Sequence, residues 1–387
     1  MADLVVCHGN VLVDDVLKQD MDILVTGRTI DRIVPSADTP PPAATTIDVQ
    51  GCTVVPGFLD IHSHGIGRVR ADSGDIAEFA RLTLERGVTG CMPTFFSPPQ
   101  QLLANLERVI DQTNRLATCP SVLGLRLEGP YLAKTGAANP EDLCPIADDT
   151  TRALHDAGQG TIKIWDVSPE LPHAPDFIAW ATDHGIVTSM AHTSTGVEDV
   201  KRAIDAGLRL VTHLYDTFDL AVEVDPGVYP AGVTDYIQIE DRLTVEIIPD
   251  GVHVHPYLIE KTFRAKGLDH VVFITDSQFG AGLPSGTYAV PNRGEVEITP
   301  DRGARRTDTD ILSGSTLTQD KSFRNAVERF GKTIPEASRL CSRNPAATLG
   351  LTTKGYLAVG MDADIVVLDS GLDVRHTIVA GQVQYSR

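Results

Sequence analysis

Basic residues are scarce in this chain. Its 33 lysines and arginines stand against 52 aspartates and glutamates, a formal charge of −19. Nucleic acid and anionic membrane surfaces both require a basic face, so neither is an expected partner. Long apolar runs are missing too: no segment approaches the roughly 18 residues of a membrane span. The opening MADLVVCHGN has too short an apolar run for a signal peptide and no basic stretch before it. The six cysteines (7, 52, 91, 119, 144, 341) form no CxxC and no paired spacing. They read as reduced thiols of a cytoplasmic protein. A glycine-rich phosphate turn after the first strand is also absent, which counts against a dinucleotide-binding open sheet.

What is present is ordinary globular material, 42% hydrophobic and 22% charged over 387 residues. Both ends alternate short β-like runs with turns: Leu4–Val6, Val11–Val13, Asp22–Val25 and Thr29–Val34 at the start, Gly360–Leu368 and His376–Val383 at the end. The Pro-rich 39–44 stretch reads as a loop. The pattern predicts a small β-sandwich domain from residues 1–54 and 350–387. The centre differs. Eight apolar runs recur: Val54–His64, Val88–Phe95, Val122–Glu128, Thr161–Val167, Ile186–His192, Leu208–Leu214, Leu243–Ile248 and Val271–Asp276. Amphipathic segments such as Ile76–Arg86, Pro99–Ala117, Ala174–His184 and Val197–Ala206 lie between them. Buried runs alternating with helices predict parallel strands with crossover helices. Eight such units fit an α/β fold of the (β/α)8 TIM-barrel type over 55–349, with a doubly wound sheet as the alternative.

Polar residues end these strands. The stretch GFLDIHSHG places His62 and His64 on one strand face, since residues two apart point the same way. Glu128, His192, His213 and Asp276 close the third, fifth, sixth and eighth runs. In a barrel all these ends form one face, where active sites are built. Each has a structural reading of its own, Asp276 as a helix N-cap for example. Four imidazoles and two carboxylates on the expected strands fit a divalent metal better. These donors suit zinc, with iron or manganese as alternatives.

The chain resembles the amidohydrolase superfamily, and within it the N-acetylglucosamine-6-phosphate deacetylases, over nearly its whole length. The matching pieces are VVPGFLDIHSHG, LEGPYLAKTGAANP, DVSPE, MAHTSTGVEDVKRAIDAG with VTHLYD, PDGVHVHP, TDSQFGAGLPSGTY, LSGSTLTQDKSFRN, and NPAATLGL followed by KGYLAVGMDADIVVLD. The resemblance implies one or two metal ions per subunit. His62 and His64 would hold the more buried ion, Glu128 would bridge, and His192 and His213 would hold the other. Asp276, beside the metal, would be general base and acid toward a metal-activated water. His253 would reach the substrate and serve as a second donor to its oxyanion. The implied reaction is hydrolysis of a C–N amide bond, the deacetylation of an N-acetylated amino sugar, by a homodimer.

Several residues depart from the family pattern. The sixth strand continues into Asp216 and Thr217 where the family reads Asn-Ala. The loop Leu220–Gly227 has no basic residue where the family carries a phosphate-binding arginine. Ala138, before Asn139, replaces a substrate-facing histidine. Like charges about 4 Å apart cost roughly 1 kcal/mol in water and roughly 4 at an effective dielectric of about 20. Asp216, Glu223 and Asp225 therefore oppose the family's usual grip on a 6-phosphate. Arg68 and Arg70 on the first loop, with Lys134 on the third, are candidates for binding an anion elsewhere. They leave room for another substrate class: an N-acyl-amino acid, a cyclic amide or a deaminase substrate. A non-catalytic assembly module is the remaining alternative, opposed by the complete ligand set.

Overall fold

The computed structural model describes residues 2–37, 41–115, 121–222, 225–228, 230–291 and 294–387, with side chains omitted for 113–115. Thr39 and Pro40 of the Pro-rich loop, Leu116 and Ala117 of the second expected helix, Cys119 and Glu223 lie outside the described residues.

Eight parallel strands form the centre: β1 (Phe58–Ser63), β2 (Val88–Phe95), β3 (Leu125–Tyr131), β4 (Ile162–Val167), β5 (Val187–Met190), β6 (Leu210–Val211), β7 (Thr244–Ile247) and β8 (Val271–Phe273). They pair in chain order from β1 to β8. The residues just beyond β8 close the ring: Ser277 bridges Ser63, and the Asp276 amide donates to the His62 carbonyl at 2.9 Å. Helices at Ile76–Leu84, Pro99–Arg115, Ala174–Asp183 and Val197–Ala206 return the chain between strands, matching the amphipathic segments. Asp75 caps the first, its Oδ1 accepting from the Ala77 amide at 2.9 Å. Among the described residues no helix is long and apolar enough to cross a membrane.

The run Val54–His64 serves two sheets. Thr53–Pro56 pairs with Ile365–Leu368 in a sheet built from both termini. The chain enters the barrel only at Phe58. Gly57 marks the switch, and a Cβ there would lie 2.0 Å from Thr89 Oγ1. The terminal sheet has eight strands, with Ala2–Val13 at its heart. That strand pairs with Ala43–Asp48 along its first half and with Thr53–Pro56 near its end. The sheet closes over Leu4, Val6, Ile23, Val25, Val54, Ile365 and Ile378, as a β-sandwich does.

One element goes beyond the expectations. After β8 the chain forms a three-stranded antiparallel sheet from Gly286–Val290, Gly294–Thr299 and Gly303–Arg306. Its alternation was readable: Val296 and Ile298 are buried between exposed Glu295 and Glu297. It lies at the barrel mouth and walls the cavity described next.

Candidate metal centre and active site

All six strand-end residues converge. Glu128, expected to close the third run, lies in the middle of β3, which continues to Tyr131, and stands between two histidine pairs. Its Oε2 lies 2.8 Å from His64 Nε2 and 3.4 Å from His62 Nε2. Its Oε1 lies 3.1 Å from His192 Nε2 and 3.0 Å from His213 Nε2. One carboxylate thus offers a separate oxygen to each pair, the arrangement a bridging ligand requires. Asp276 completes the inner side, with Oδ1 3.3 Å from His64 Nε2 and 3.5 Å from His62 Nε2. Three of the six residues, His192, His213 and Asp276, hold positive φ of 45°, 26° and 44°. Non-glycine residues in this region store strain, and such strain gathers at functional sites.

The donor set fits a cation. The His192 Nδ1 lies 3.1 Å from the Lys134 carbonyl oxygen, which can only accept. His192 therefore carries its proton on Nδ1 and turns a bare Nε2 toward a carboxylate oxygen. His62 repeats this: Nδ1 faces Glu246 Oε2 at 3.4 Å, leaving Nε2 bare. Two lone pairs about 3 Å apart repel unless a positive charge lies between them. Nitrogen and oxygen donors in two sets of three, His62, His64 and Glu128, then Glu128, His192 and His213, supply that place for divalent metal.

The same carboxylates draw positive charge to this place in another form, since protons on the imidazoles can stand where a cation would otherwise bring its charge. Burial lowers the His64 imidazole, but Asp276 and Glu128 outweigh it and push it up to about 9. His213 rises against burial to about 10, chiefly through Glu128. Glu128 is held well below the carboxylate range: burial opposes ionisation, and His62, His192 and His213 overcome it. Asp276 is lowered in the same way, with burial outweighed by His64 and His62. Each carboxylate stays ionised because positive partners surround it.

A cavity of about 340 Å³ opens above the centre. Its walls include His64, Glu128, His192, His213 and Asp276. Of the expected substrate-binding residues, Asp216, Thr217 and Arg70 line it. Arg70 is already bidentate to Asp72, through Nε at 2.9 Å and Nη2 at 2.5 Å. Arg68 is absent from this wall, and its guanidinium lies 5.7 Å from the Tyr288 ring centre. The Lys134 side chain pairs with Asp219, so its link to the site is its carbonyl. Asn139 lines a neighbouring recess of about 180 Å³ that also touches Arg70. His253, half-buried as a residue but with its ring nearly covered, bonds Asp250 Oδ2 through Nδ1 at 2.7 Å, and one ring nitrogen lies within 4.8 Å of Asp216 and Asp276 oxygens.

Sequence reasoning missed Phe96, Gln278, Glu295 and Arg306 in the wall. Arg306 comes from the inserted sheet, and its Nη1 donates to the Ala137 carbonyl at 3.2 Å, tying that sheet to the third loop. It also missed Arg126, Asp166 and Glu246 inside the barrel. The available signal was a charged residue in the middle of each of three apolar runs, Leu125-Arg126-Leu127, Trp165-Asp166-Val167 and Val245-Glu246-Ile247.

A parallel barrel with paired histidines across one carboxylate at its C-terminal mouth defines a metal-dependent hydrolase. The Amidohydrolase family matches residues 53–384, and the chain belongs to it. It is therefore a hydrolase of carbon–nitrogen bonds other than peptide bonds. The chain is 31% identical to the N-acetylgalactosamine-6-phosphate deacetylase of Escherichia coli O157:H7, over 92% of this chain and 93% of that protein. It is 29% identical to the N-acetylglucosamine-6-phosphate deacetylase of Lysinibacillus sphaericus, over 87% of each. A mutant N-acetyl-D-glucosamine-6-phosphate deacetylase from Mycobacterium smegmatis, solved with N-acetyl-D-glucosamine-6-phosphate, superimposes with a TM-score of 0.87 at 28% identity. That match covers both chains in full.

Proposed function

We propose that the chain removes the acetyl group from an N-acetylated amino sugar, using a centre of one or two divalent ions, zinc before iron or manganese. We place it in the cytoplasm as a homodimer, with a barrel domain over 55–349 whose first strand starts at Phe58, and a sandwich over 1–54 and 350–387 whose strand Thr53–Pro56 runs across that boundary. The observation that carries the reading is Glu128 between two histidine pairs with Asp276 alongside, in a chain similar throughout to sugar-phosphate deacetylases.

His62, His64 and Glu128, and Glu128 with His192 and His213, would hold the divalent ions, which would supply Lewis acidity to a carbonyl and a water whose pKa is lowered to about 7. Asp276, kept ionised by its histidine neighbours, accepts the water's proton at a carboxylate oxygen. It then returns that proton to the amine nitrogen, which leaves readily only when protonated. Burial lowers the His253 imidazole, but its bond to Asp250 outweighs this and raises it above 6.5. With Nδ1 held by Asp250, a protonated His253 would offer Nε2–H to the oxyanion that develops on the acetyl carbonyl.

Distal recognition differs from a plain phosphate clamp. Asp216 in the cavity wall opposes a dianion, while Arg70 and Arg306 line other walls, each already paired with a carboxylate, Asp72 and Asp308, from which an anionic substrate group would have to draw it. Those arginines support a second reading, a carboxylate-bearing N-acyl-amino acid or related cyclic amide or deaminase substrate.

The test is acetate release by metal-loaded protein from N-acetylglucosamine 6-phosphate, N-acetylgalactosamine 6-phosphate and the two unphosphorylated sugars. Turnover of any of them supports the amino-sugar reading, and the ratio of phosphorylated to free sugar measures the phosphate's part. Turnover of none of the four, with metal bound, overturns it in favour of the second.

A further inference from the structure

Beneath the histidines the barrel interior holds a charged cluster that the proposed chemistry does not use. Arg126, Asp166 and Glu246 are each fully buried. Arg126 Nη1 donates to Glu246 Oε1 at 2.5 Å and to the Ile61 carbonyl at 3.2 Å. Its Nη2 donates to Asp166 Oδ2 at 3.1 Å and Thr212 Oγ1 at 2.9 Å. Glu246 Oε2 is left facing His62 Nδ1 at 3.4 Å. Buried ion pairs are poor sources of stability, because desolvation offsets most of their attraction. An apolar filling would serve the barrel's stability as well, so the cluster calls for another role.

We propose that Glu246, locked by Arg126, is the positioning residue for the inner cation site of His62, His64 and Glu128, and decides whether the chain holds a second ion there. The geometry supplies the argument. Arg126 occupies Glu246 Oε1, so Oε2 alone is left to accept from His62. That acceptor keeps the His62 proton on Nδ1 and aims the bare Nε2 at Glu128 Oε2, 3.4 Å away, and at His64 Nε2, 3.2 Å away. In the outer pair His192 is oriented by the Lys134 carbonyl instead of a carboxylate. Charge points the same way. Asp60, Glu128, Asp166, Glu246 and Asp276 are buried carboxylates, and Arg126 is the buried guanidinium among them. Counted formally, with every carboxylate ionised and the imidazoles neutral as they are when they hold a metal, their net charge is −4. Two divalent ions balance it, and one leaves half of it uncompensated. The proposal rests on the metal reading of the site and is independent of the substrate.

The experiment is zinc and cobalt titration of metal-stripped protein, with bound metal counted by elemental analysis and cobalt followed by its visible spectrum. Wild type is expected to bind two equivalents. Glu246→Gln is expected to keep one ion with wild-type affinity and to bind the second about 10- to 100-fold more weakly. Glu246→Gln leaves Arg126 paired with Asp166, and the triple variant Arg126→Gln/Asp166→Asn/Glu246→Gln, which removes all three buried charges together, serves as the control for folding. It should melt near wild type and still lack the tight second ion. A merely structural role would lower the melting temperature of Glu246→Gln without changing the metal count of folded protein. Wild type that binds only one equivalent, or either variant binding two within about threefold of wild-type affinity, overturns the proposal.

Discussion

Asp276 reaches the centre because its backbone is bent into the left-handed region and pinned on both sides. Its amide donates to the His62 carbonyl at 2.9 Å, and its carbonyl accepts from the Ser315 amide at 2.8 Å. An isosteric Asp276→Asn keeps this geometry and loses only the proton-accepting charge. Metal content should stay at the wild-type level by elemental analysis, while turnover falls about 10²- to 10⁴-fold. A near-native rate in that variant would remove Asp276 from proton transfer. His64 tests the inner side differently. It is a ligand candidate with no part in the outer set, so His64→Gln should lower the number of tightly bound ions by one. Cobalt titration reads that loss directly.

At the scale of strands and loops, the shared run at 53–63 couples the terminal sheet to the barrel. Gly57 permits the crossing, because any side chain there meets Thr89 on β2. Gly57→Ala is expected to cost about 1–3 kcal/mol through overpacking. It should appear as a lower melting temperature and a displaced His62–His64 strand, with weakened metal binding as a consequence. A variant with unchanged melting temperature would show that Thr89 moves aside freely. The inserted sheet at 286–306 acts at the other end of the barrel. It contributes Val290, Glu295, Val296 and Arg306 to the wall of the cavity, beside residues of the barrel loops.

For the molecule as a whole, acidity and metal dependence set the response to conditions. Chelation should lower the melting temperature reversibly, because an ion that binds only the folded chain adds about 2.7 kcal/mol at 100 times its Kd. A calorimetric scan with and without excess chelator checks this. The terminal sheet carries its own pH dependence. The His8 ring bonds Asp48 at 3.0 Å, which raises the imidazole above 6.5 and lowers the carboxyl below 3.8. The His8 contribution is complete below 6.5 and disappears as pH rises through its raised value. The Asp48 contribution is complete above 3.8 and disappears as pH falls through its lowered value. Wild type should therefore melt above His8→Gln at mildly acidic pH, and the two should converge in alkaline buffer. Equal melting temperatures throughout would show the exposed pair to be neutral.

Strand and helix periodicity, the glutamate and histidines at strand ends, and the β character of both termini were legible because each depends on residues close together in the chain. A period of two or of 3.6 is a local property, and a polar residue closing an apolar run marks itself. Arg126 and Glu246 were not legible as partners. They are 120 residues apart, and each looked like an isolated charge in an apolar strand until the barrel brought β3 and β7 across from one another. Which oxygen of Glu128 faces which histidine pair, and which ring nitrogen of His62 stays bare, also follow only from closure of the ring. Arg306 enters the cavity through an insertion whose position over the mouth no local pattern specifies. Side-chain type and spacing come from neighbours along the chain, but charge pairing in a dry interior is decided by which distant strands share that interior.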